Sequence, residues 1–425
     1  MSTFFLTLKK HAYQLLRWSE RHTKTDMIYL TKGGFWLSLS KILSITASFL
    51  SSIAFANLLP EETYGTFRYV LSIVSLLVIP TLPGIDSALA RAISRGHQVS
   101  VGQILHVRMR WGILGAIGSI ALGGYYFFMG NEILSTAFFF TAIFIPIMDP
   151  LHIYTAVLNG LKKFNTLAQD EIATRMVTTL LLIGVVYYTQ NIFIVIAVYF
   201  ISTTISRYIL FRLTLKNTTE TVHPDSTDTQ EVSSYGKHLT AMNILSQVSV
   251  QLDKILLFHY VGGAALAAYY LAFMPLKQLQ TMFSAVTTLA FPKFATNSME
   301  KIRTTLPHKI ILLYALIIPI VIAYIIAAPY IFFLIYPQYT AAVFISQLLM
   351  LQLLFFPLTL ISTAFTSQGH KKKLYVSTSA YAAIRIVLLL ILVPLFGIYG
   401  AVITILLTST LSNSLLLFLF FRNTR

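Results

Sequence analysis

Two cations lie deep inside apolar stretches of the sequence. Lys277 stands in "LAFMPLKQLQTMFSAVTTLAF" (residues 271–291) and Arg385 stands in "SAYAAIRIVLLLILVP" (residues 379–394). A charged side chain inside a membrane is costly, and it is retained where it meets an opposite charge or faces a water-filled cavity. We therefore expect Lys277 and Arg385 to bind an anionic substrate in such a cavity. A structural ion pair between helices is the alternative.

Three further cations lie on polar helical faces. Helical spacing aligns Lys41, Arg68 and Lys254 with hydroxyl or amide side chains, and a stripe that also carries a cation needs water or an anion. We expect these stripes to face one cationic central cavity, although polar side chains between membrane helices also hold bundles together. Arg68, like Arg175 and Arg207, lies near a span end, where its side chain can instead reach the interface. The stripes combine Lys41 with Ser44 and Ser48, Arg68 with Ser72 and Ser75, and Lys254 with Asn243 and Gln247.

Acids are scarce in the apolar stretches. Asp149 and Asp253 are candidates for carrying a coupling proton or sodium ion, because a carboxylate in such surroundings titrates or binds cations. Asp253 adjoins Lys254, but neighbouring residues on a helix point about 100° apart, so the two are not an obvious pair.

The elements that must position these residues are membrane-spanning helices. Hydrophobic residues make up 56% of the chain and charged residues only 11%, and the mean hydropathy is +0.73. Long apolar runs without a two-residue alternation are typical of transmembrane helices and not of a barrel. We predict an all-α polytopic membrane protein with about twelve transmembrane helices, at residues 34–57, 64–85, 111–129, 133–158, 169–188, 191–212, 238–260, 266–290, 308–335, 340–366, 374–395 and 397–421.

The basic residues predict the orientation of these helices. Basic loops such as "NGLKKFN" and "GHKKK" fall on the side of both termini, whereas the loops between them carry acids or no charge. By the positive-inside rule, that side is the cytoplasm of a cell with the protein in its inner membrane. The net charge of +16 is thus an orientation signal, and we expect no nucleic-acid partner.

The predicted spans divide into two halves. A polar, Ser/Thr-rich insert separates six spans from six, and a Gly-x-Lys-Lys turn follows the fourth span of each half. Two such halves predict pseudo-symmetric six-helix lobes with a substrate path between them. The predicted organisation is an interfacial segment on the cytoplasmic side at 1–32, an N-terminal lobe at 33–213, a cytoplasmic linker at 214–237, a C-terminal lobe at 238–421 and a tail at 422–425.

Several motifs resemble a known family. The turn "LLPEETYG", the helix exit "GIDSALARAIS", the Gly-x-Lys-Lys turn and "PLFGIYGAVI" are similar to features of bacterial polysaccharide repeat-unit flippases of the Wzx type, in the MATE-like exporter superfamily. The resemblance implies alternating access and a polyprenyl-diphosphate-linked oligosaccharide as substrate, moved from the cytoplasmic to the outer leaflet. It also implies a polysaccharide polymerase as a candidate partner, besides the lipid bilayer.

Other functions remain as alternatives. A multidrug or cation exporter of the same superfamily would place acids in its cavity, where this chain offers basic stripes. A membrane assembly protein without transport is a second alternative. We expect the protein to have neither enzymatic activity nor a cofactor, since the sequence lacks cysteine, an H-E-x-x-H motif and a P-loop.

The orientation can be tested with single cysteines, because the native chain has none and is its own background control. We expect cysteines at Glu62 and Gln338 to react with an impermeant thiol reagent from outside intact cells, and a cysteine at Lys372 to be protected. Reaction of the cysteine at position 372 in sealed cells would overturn the predicted orientation.

Overall fold

The computed structural model describes residues 27–218, 228–368 and 371–422. Within these ranges the secondary structure is helical and contains no strand, so the predicted all-α class is confirmed. The interfacial helix predicted near the N-terminus falls mostly in residues 1–26, which lie outside the described residues.

The first six passes run from Met27 to Lys216. Two of them are broken by short 3₁₀ segments, Ile79–Thr81 in the second pass and Pro150–Ile153 in the fourth. Proline explains both breaks, since it has no backbone N–H to donate and its ring clashes with the preceding turn. The helices are α1 Met27–Leu58, α2 Glu61–Leu77, α3 Gly84–Ser94, α4 Val101–Phe128, α5 Glu132–Met148, α6 Tyr154–Gly160, α7 Phe164–Tyr188 and α8 Ile192–Lys216.

The next six passes repeat the break in the fourth pass. Their fourth pass is again interrupted by a 3₁₀ segment, Leu351–Leu358, which contains Pro357. The predicted pseudo-symmetry of two six-helix lobes is therefore confirmed, and we call α1–α8 the N lobe and α9–α14 the C lobe. The helices of the C lobe are α9 Asp228–Tyr260, α10 Gly263–Thr296, α11 Met299–Ile335, α12 Val343–Met350, α13 Thr359–Ser367 and α14 Lys371–Arg422.

The last helix, α14, contains a sharp reversal that makes it two passes. Gly397 has a φ of 55° and a ψ of −129°, a conformation that glycine tolerates because it has no Cβ. A Cβ on Gly400 would lie 2.0 Å from the carbonyl oxygen of Leu392, whereas eight residues of straight helix span about 12 Å. The chain therefore folds back at Gly397, between the two last predicted spans.

Nine helical segments within the described residues are long and apolar enough to cross a membrane. The polar helices α9 and α10 are not among them, and the last segment, Thr378–Phe421, contains both passes of α14. The described residues thus form about twelve helical passes, as predicted. The start of α9 at Asp228 also means that residues 228–237, predicted to belong to the linker, are helical.

Polar residues in the connecting turns determine where several helices begin. The side chains of Ser100, Asn131 and Asn191 accept hydrogen bonds from backbone N–H groups at the starts of α4, α5 and α8, which would otherwise have no partner. Pro60 immediately precedes α2, and the chain reverses between α1 and α2 at this proline.

The two lobes meet at both faces of the molecule. We call the face that carries Met27 and Arg422 the terminal face, and the other the opposite face. At the terminal face α3 packs against the start of α9. The N–H of Gly84 donates to Thr240 Oγ1 at 3.0 Å, and His97 Nδ1 lies 3.2 Å from Asp228 Oδ2.

At the opposite face α2 packs against the start of α10. A Cβ on Gly65 would lie 1.8 Å from the carbonyl oxygen of Gly263, so only glycine allows this backbone contact. The carboxylate of Glu62 accepts hydrogen bonds from the N–H groups of Gly263 at 3.1 Å and Ala264 at 2.9 Å. A negative charge at this position also complements the positive end of the α10 dipole.

This contact generates a prediction about stability. Glu62→Ala removes the acceptor of two N–H groups at a helix start, and we expect it to lower the free energy of unfolding by about 1 kcal/mol. Glu61→Gln is the matched control, since the neighbouring Glu61 makes no such contact with α10. Thermal unfolding of the purified protein in detergent measures both. Equal unfolding temperatures for the two variants would contradict the role of Glu62.

Candidate functional site

A cavity of about 450 Å³ lies where α1, α2, α7 and α8 of the N lobe meet α10 of the C lobe. Its charged lining consists of four basic side chains and one acidic side chain, Glu171. Lys277 lies on α10, on the C-lobe side of the cavity, and its role in binding a substrate stays a prediction. The four basic residues are Arg68, Arg175, Arg207 and Lys277.

The lining residues form layers along the membrane normal. Helix α7 runs away from the terminal face and passes Glu171, Arg175 and Thr178 in turn, while α8 runs back through Thr203 to Arg207. At about 1.5 Å per residue, the arginine level lies roughly 4.5–6 Å nearer the terminal face than the threonine level. Arg175 and Arg207 therefore lie in the part of the cavity nearer that face, and Thr178 and Thr203 lie beyond them.

Arg68 lies at the far end of the cavity inside a cage of aromatic rings. Its guanidinium carbon is 3.8 Å from the ring centre of Tyr270 and 5.0 Å from that of Tyr64, whose hydroxyl accepts a hydrogen bond from Nη2 at 3.1 Å. Phe55 and Phe67 complete the cage. Rings with a negative face stabilise a cation at such distances, so Arg68 is held in place and not extended to the interface.

The other three cations of the cavity have few partners. Arg175 donates a hydrogen bond to Ser48, and Arg207 donates to the carbonyl oxygen of Met148 at 2.8 Å. Lys277 is exposed to the cavity, and among the described residues its side chain has no hydrogen-bond or ion-pair partner. The sequence favoured an interfacial position for Arg175 and Arg207, so neither was predicted to line the cavity. Their shared level on antiparallel neighbouring helices could have indicated that they lie together.

Arg385 lies elsewhere, and its environment corrects the expectation of a solvated cation. It is only 8% exposed, and its Nη2 forms an ion pair with Asp253 Oδ2 at 3.0 Å. Tyr269 donates to the same carboxylate oxygen at 2.8 Å, and Arg385 donates to the hydroxyl of Tyr381 at 3.3 Å. The alternative of a structural ion pair therefore describes Arg385, because Asp253 neutralises it within the C lobe.

Two further candidates also lie outside the lining of the cavity. Lys41 Nζ is exposed on α1 and lies 3.3 Å from Ser284 Oγ on α10. Lys254 Nζ donates to the carbonyl oxygen of Val250 at 3.0 Å and to Gln251 Oε1 at 2.9 Å, and it is 3.8 Å from Asp253 Oδ1. The proximity of Lys254 to Asp253 was not expected from helical phase, and the flexible lysine stem explains it.

Asp149, the second candidate for ion coupling, is part of a buried charge cluster. It lies 2.8 Å from Nη2 of Arg108, whose Nη1 forms an ion pair with Asp86, and it accepts a hydrogen bond from Thr81. Arg108 is fully buried and also donates from Nε to the carbonyl oxygen of Thr81 at 3.0 Å. The sequence places Arg108 in a basic loop, but the structure places it within α4. Both coupling candidates thus have an arginine as partner.

Comparison with known proteins supports the architecture. A family model described as "Polysaccharide biosynthesis protein" matches residues 30–298, and no curated protein matches the sequence. The lipid II flippase MurJ in an inward closed conformation is similar in structure, with a TM-score of 0.70 and 16% identity over 91% of this chain and 87% of that chain.

Two other solved structures share the fold. A MATE transporter in complex with MaD5 has a TM-score of 0.64 and 16% identity over 92% of this chain and 94% of its own. A MOP superfamily transporter from Pyrococcus furiosus, described as having a binding pocket of reverse polarity, has a TM-score of 0.59 and 17% identity over 92% and 95%. At these identities the likeness establishes the fold, so the structural side of the resemblance noted in the sequence is confirmed.

The buried pair in the C lobe generates a prediction. Arg385→Gln leaves the Asp253 carboxylate without its cation, and we expect a loss of about 3–5 kcal/mol in the free energy of unfolding. Adding Asp253→Asn should restore most of that loss. Lys41→Gln, which removes an exposed cation, is the control. Abundance in the membrane and the unfolding temperature measure the effect, and a double variant no more stable than Arg385→Gln would contradict the pairing.

Proposed function

Because the chain belongs to the family of polysaccharide biosynthesis proteins, we propose that it is a flippase for a polyprenyl-diphosphate-linked oligosaccharide. The lipid is moved from the cytoplasmic to the outer leaflet by alternating access of the two lobes. The similarity in fold to a lipid II flippase supports a lipid-linked substrate, and the cationic cavity supports a diphosphate.

The single observation that carries the proposal is the charge of the cavity lining. Four basic side chains and one acidic side chain surround it, and Lys277 and Arg175 have donors free to bind an anion. A diphosphate offers several charged acceptor oxygens, which lysine and arginine bind with short, charge-assisted hydrogen bonds. Without substrate, water hydrates these cations, so no bare charge faces lipid.

The orientation follows from the placement of the cations within the cavity. In our proposal the terminal face is cytoplasmic, in accord with the basic loops on that side. The cationic layer then lies toward the cytoplasmic leaflet, from which the substrate enters. Export of an anion also runs with an inside-negative membrane potential, which contributes about 2.3 kcal/mol per charge for each 100 mV.

Alternating access requires contacts between the lobes that can break one face at a time. The contacts of Gly84 and His97 with α9 close the terminal face, and those of Glu62 and Gly65 with α10 close the opposite face. The hydrogen bond between Gly84 and Thr240 is buried, whereas the contact of His97 with Asp228 is exposed. Water can replace the lost hydrogen-bond partners when a face opens, so the net cost of separating each bond is modest. Opening at the terminal face admits the substrate, and opening at the opposite face releases it.

A multidrug or cation exporter is the rival function, since a MATE transporter shares the fold. A cation substrate needs acidic side chains in the cavity. Glu171 is the single acid in the lining, and four cations line the same cavity. An assembly protein without transport has no need for a hydrated cationic cavity. The charge of the lining therefore supports a flippase best.

Lys277 is the residue that tests this function. A hydrogen bond to a charged group is worth about 1.5–3 kcal/mol, so we expect Lys277→Gln to slow flipping of a polyprenyl-diphosphate glycan at least tenfold. Lys277→Arg keeps the charge and should retain most activity. Flipping is measured in proteoliposomes with a fluorescent lipid-linked glycan.

The matched control is Arg212→Gln, which removes a charge from α8 outside the cavity and should leave the rate unchanged. Abundance and unfolding temperature are determined for each variant, so that misfolding is distinguished from lost binding. Full transport by Lys277→Gln at normal abundance would overturn the role of this cation.

A further inference from the structure

Beyond the cations, the cavity is lined by hydroxyl groups that have no partner. Thr178 on α7 and Thr203 on α8 both line it, and they are only 9% and 6% exposed. Among the described residues, neither side-chain oxygen has a hydrogen-bond partner. A buried hydroxyl without a partner is unfavourable, so these two positions call for an explanation.

Most hydroxyls on the membrane helices of this protein are satisfied locally. Thr46 donates to the carbonyl oxygen of Ile42 at 3.0 Å, and Thr404 donates to that of Gly400 at 2.8 Å. This bond to the preceding turn is open to any helical threonine whose side chain has the required rotamer. Thr178 and Thr203 do not use it, which leaves their hydroxyls available to a molecule in the cavity.

Aromatic rings line the same cavity as these two threonines. Tyr199 lies one turn from Thr203 on α8, and its ring contacts that of Phe67 edge to face at 5.8 Å between centres. The charged group at this end of the cavity, Arg68, is enclosed by its aromatic cage. Apolar rings combined with a few hydroxyls suit a neutral ligand with apolar faces and hydroxylated edges. A sugar ring has this chemistry.

We propose that Thr178, Thr203 and Tyr199 form a subsite for the sugar that is attached directly to the diphosphate. The inference rests on the proposed function, since it takes the diphosphate to bind at Arg175 and Lys277. The threonines lie about one helical turn farther from the terminal face than Arg175 and Arg207. In this pose the first sugar extends from the diphosphate toward the opposite face. The cavity volume of about 450 Å³ is that of a small-molecule site, so it holds the diphosphate and this first sugar.

Binding measurements with the full-length protein in nanodiscs test the subsite. The probes are bare polyprenyl diphosphate and the same lipid carrying one glucose, galactose, N-acetylglucosamine or N-acetylgalactosamine. We expect at least one sugar-bearing lipid to bind about tenfold more tightly than the bare lipid. Thr178→Val/Thr203→Val keeps the side-chain shape and removes both hydroxyls, and it should abolish this advantage without changing the Kd of the bare lipid.

Thr204→Val is the matched control. Thr204 has an equally unpartnered hydroxyl one position along α8, but it does not line the cavity, so the preference for the sugar should persist. The subsite is overturned if no sugar improves binding, or if the advantage survives in the double variant.

Failure of the proposed function gives a different result. Lys277→Gln should weaken binding of the bare lipid, and failure of the native protein to bind that lipid, or indifference of its Kd to Lys277→Gln, would contradict diphosphate recognition. A third outcome is that Lys277→Gln leaves the Kd of the bare lipid unchanged and still binds the sugar-bearing lipid more tightly. That result would support the subsite and contradict the cationic site. The unfolding temperature of each variant excludes misfolding as a cause.

Discussion

The buried guanidinium of Arg108 is the interaction on which the N lobe depends. It donates to the carbonyl oxygen of Thr81, where α2 breaks, and it binds Asp149, where α5 breaks. A charge with no exposure to solvent is tolerated only with complete pairing, and Asp86 supplies the second carboxylate. The side chain of Arg108 thus connects the two helix breaks that prolines cause in the N lobe. The second break positions His152 and the chain after it in the cavity wall.

The two lobes share an architecture but use their charges differently. In the C lobe Asp253 and Tyr269 bind the head group of Arg385, and the network stiffens the contact between α9, α10 and α14. In the N lobe Arg175 and Arg207 face a cavity with one acid, so their positive charge stays available. Under the proposed function this difference has a physical reason, because a site for an anion needs cations without anions, whereas a supporting lobe needs them neutralised.

Contact between the lobes combines close backbone approach with aromatic packing. Gly65 and Gly84 allow backbones to touch across the seam between the lobes, as small residues do where helices pack closely. Tyr69 of α2 stacks on Phe258 of α9 at 4.0 Å between ring centres. Tyr270 of α10 stacks on Arg68 of α2 at 3.8 Å and also lines the cavity. The site and the seam therefore share a cation–π contact, through which occupation of the cavity can act on the separation of the lobes.

The helical class, the roughly twelve passes and the division into two lobes follow from the sequence alone, because apolar length and helical phase are local properties of the chain. The sequence could not separate Lys277 from Arg385, since both are cations in an apolar stretch. Packing between helices brings Arg385 to Asp253, whereas the side chain of Lys277 meets no carboxylate within the part of the chain that the structure describes. Arg108, Arg175 and Arg207 were missed for the same reason. The cost of a buried cation depends on what neighbouring helices bring to it, and that is a matter of packing.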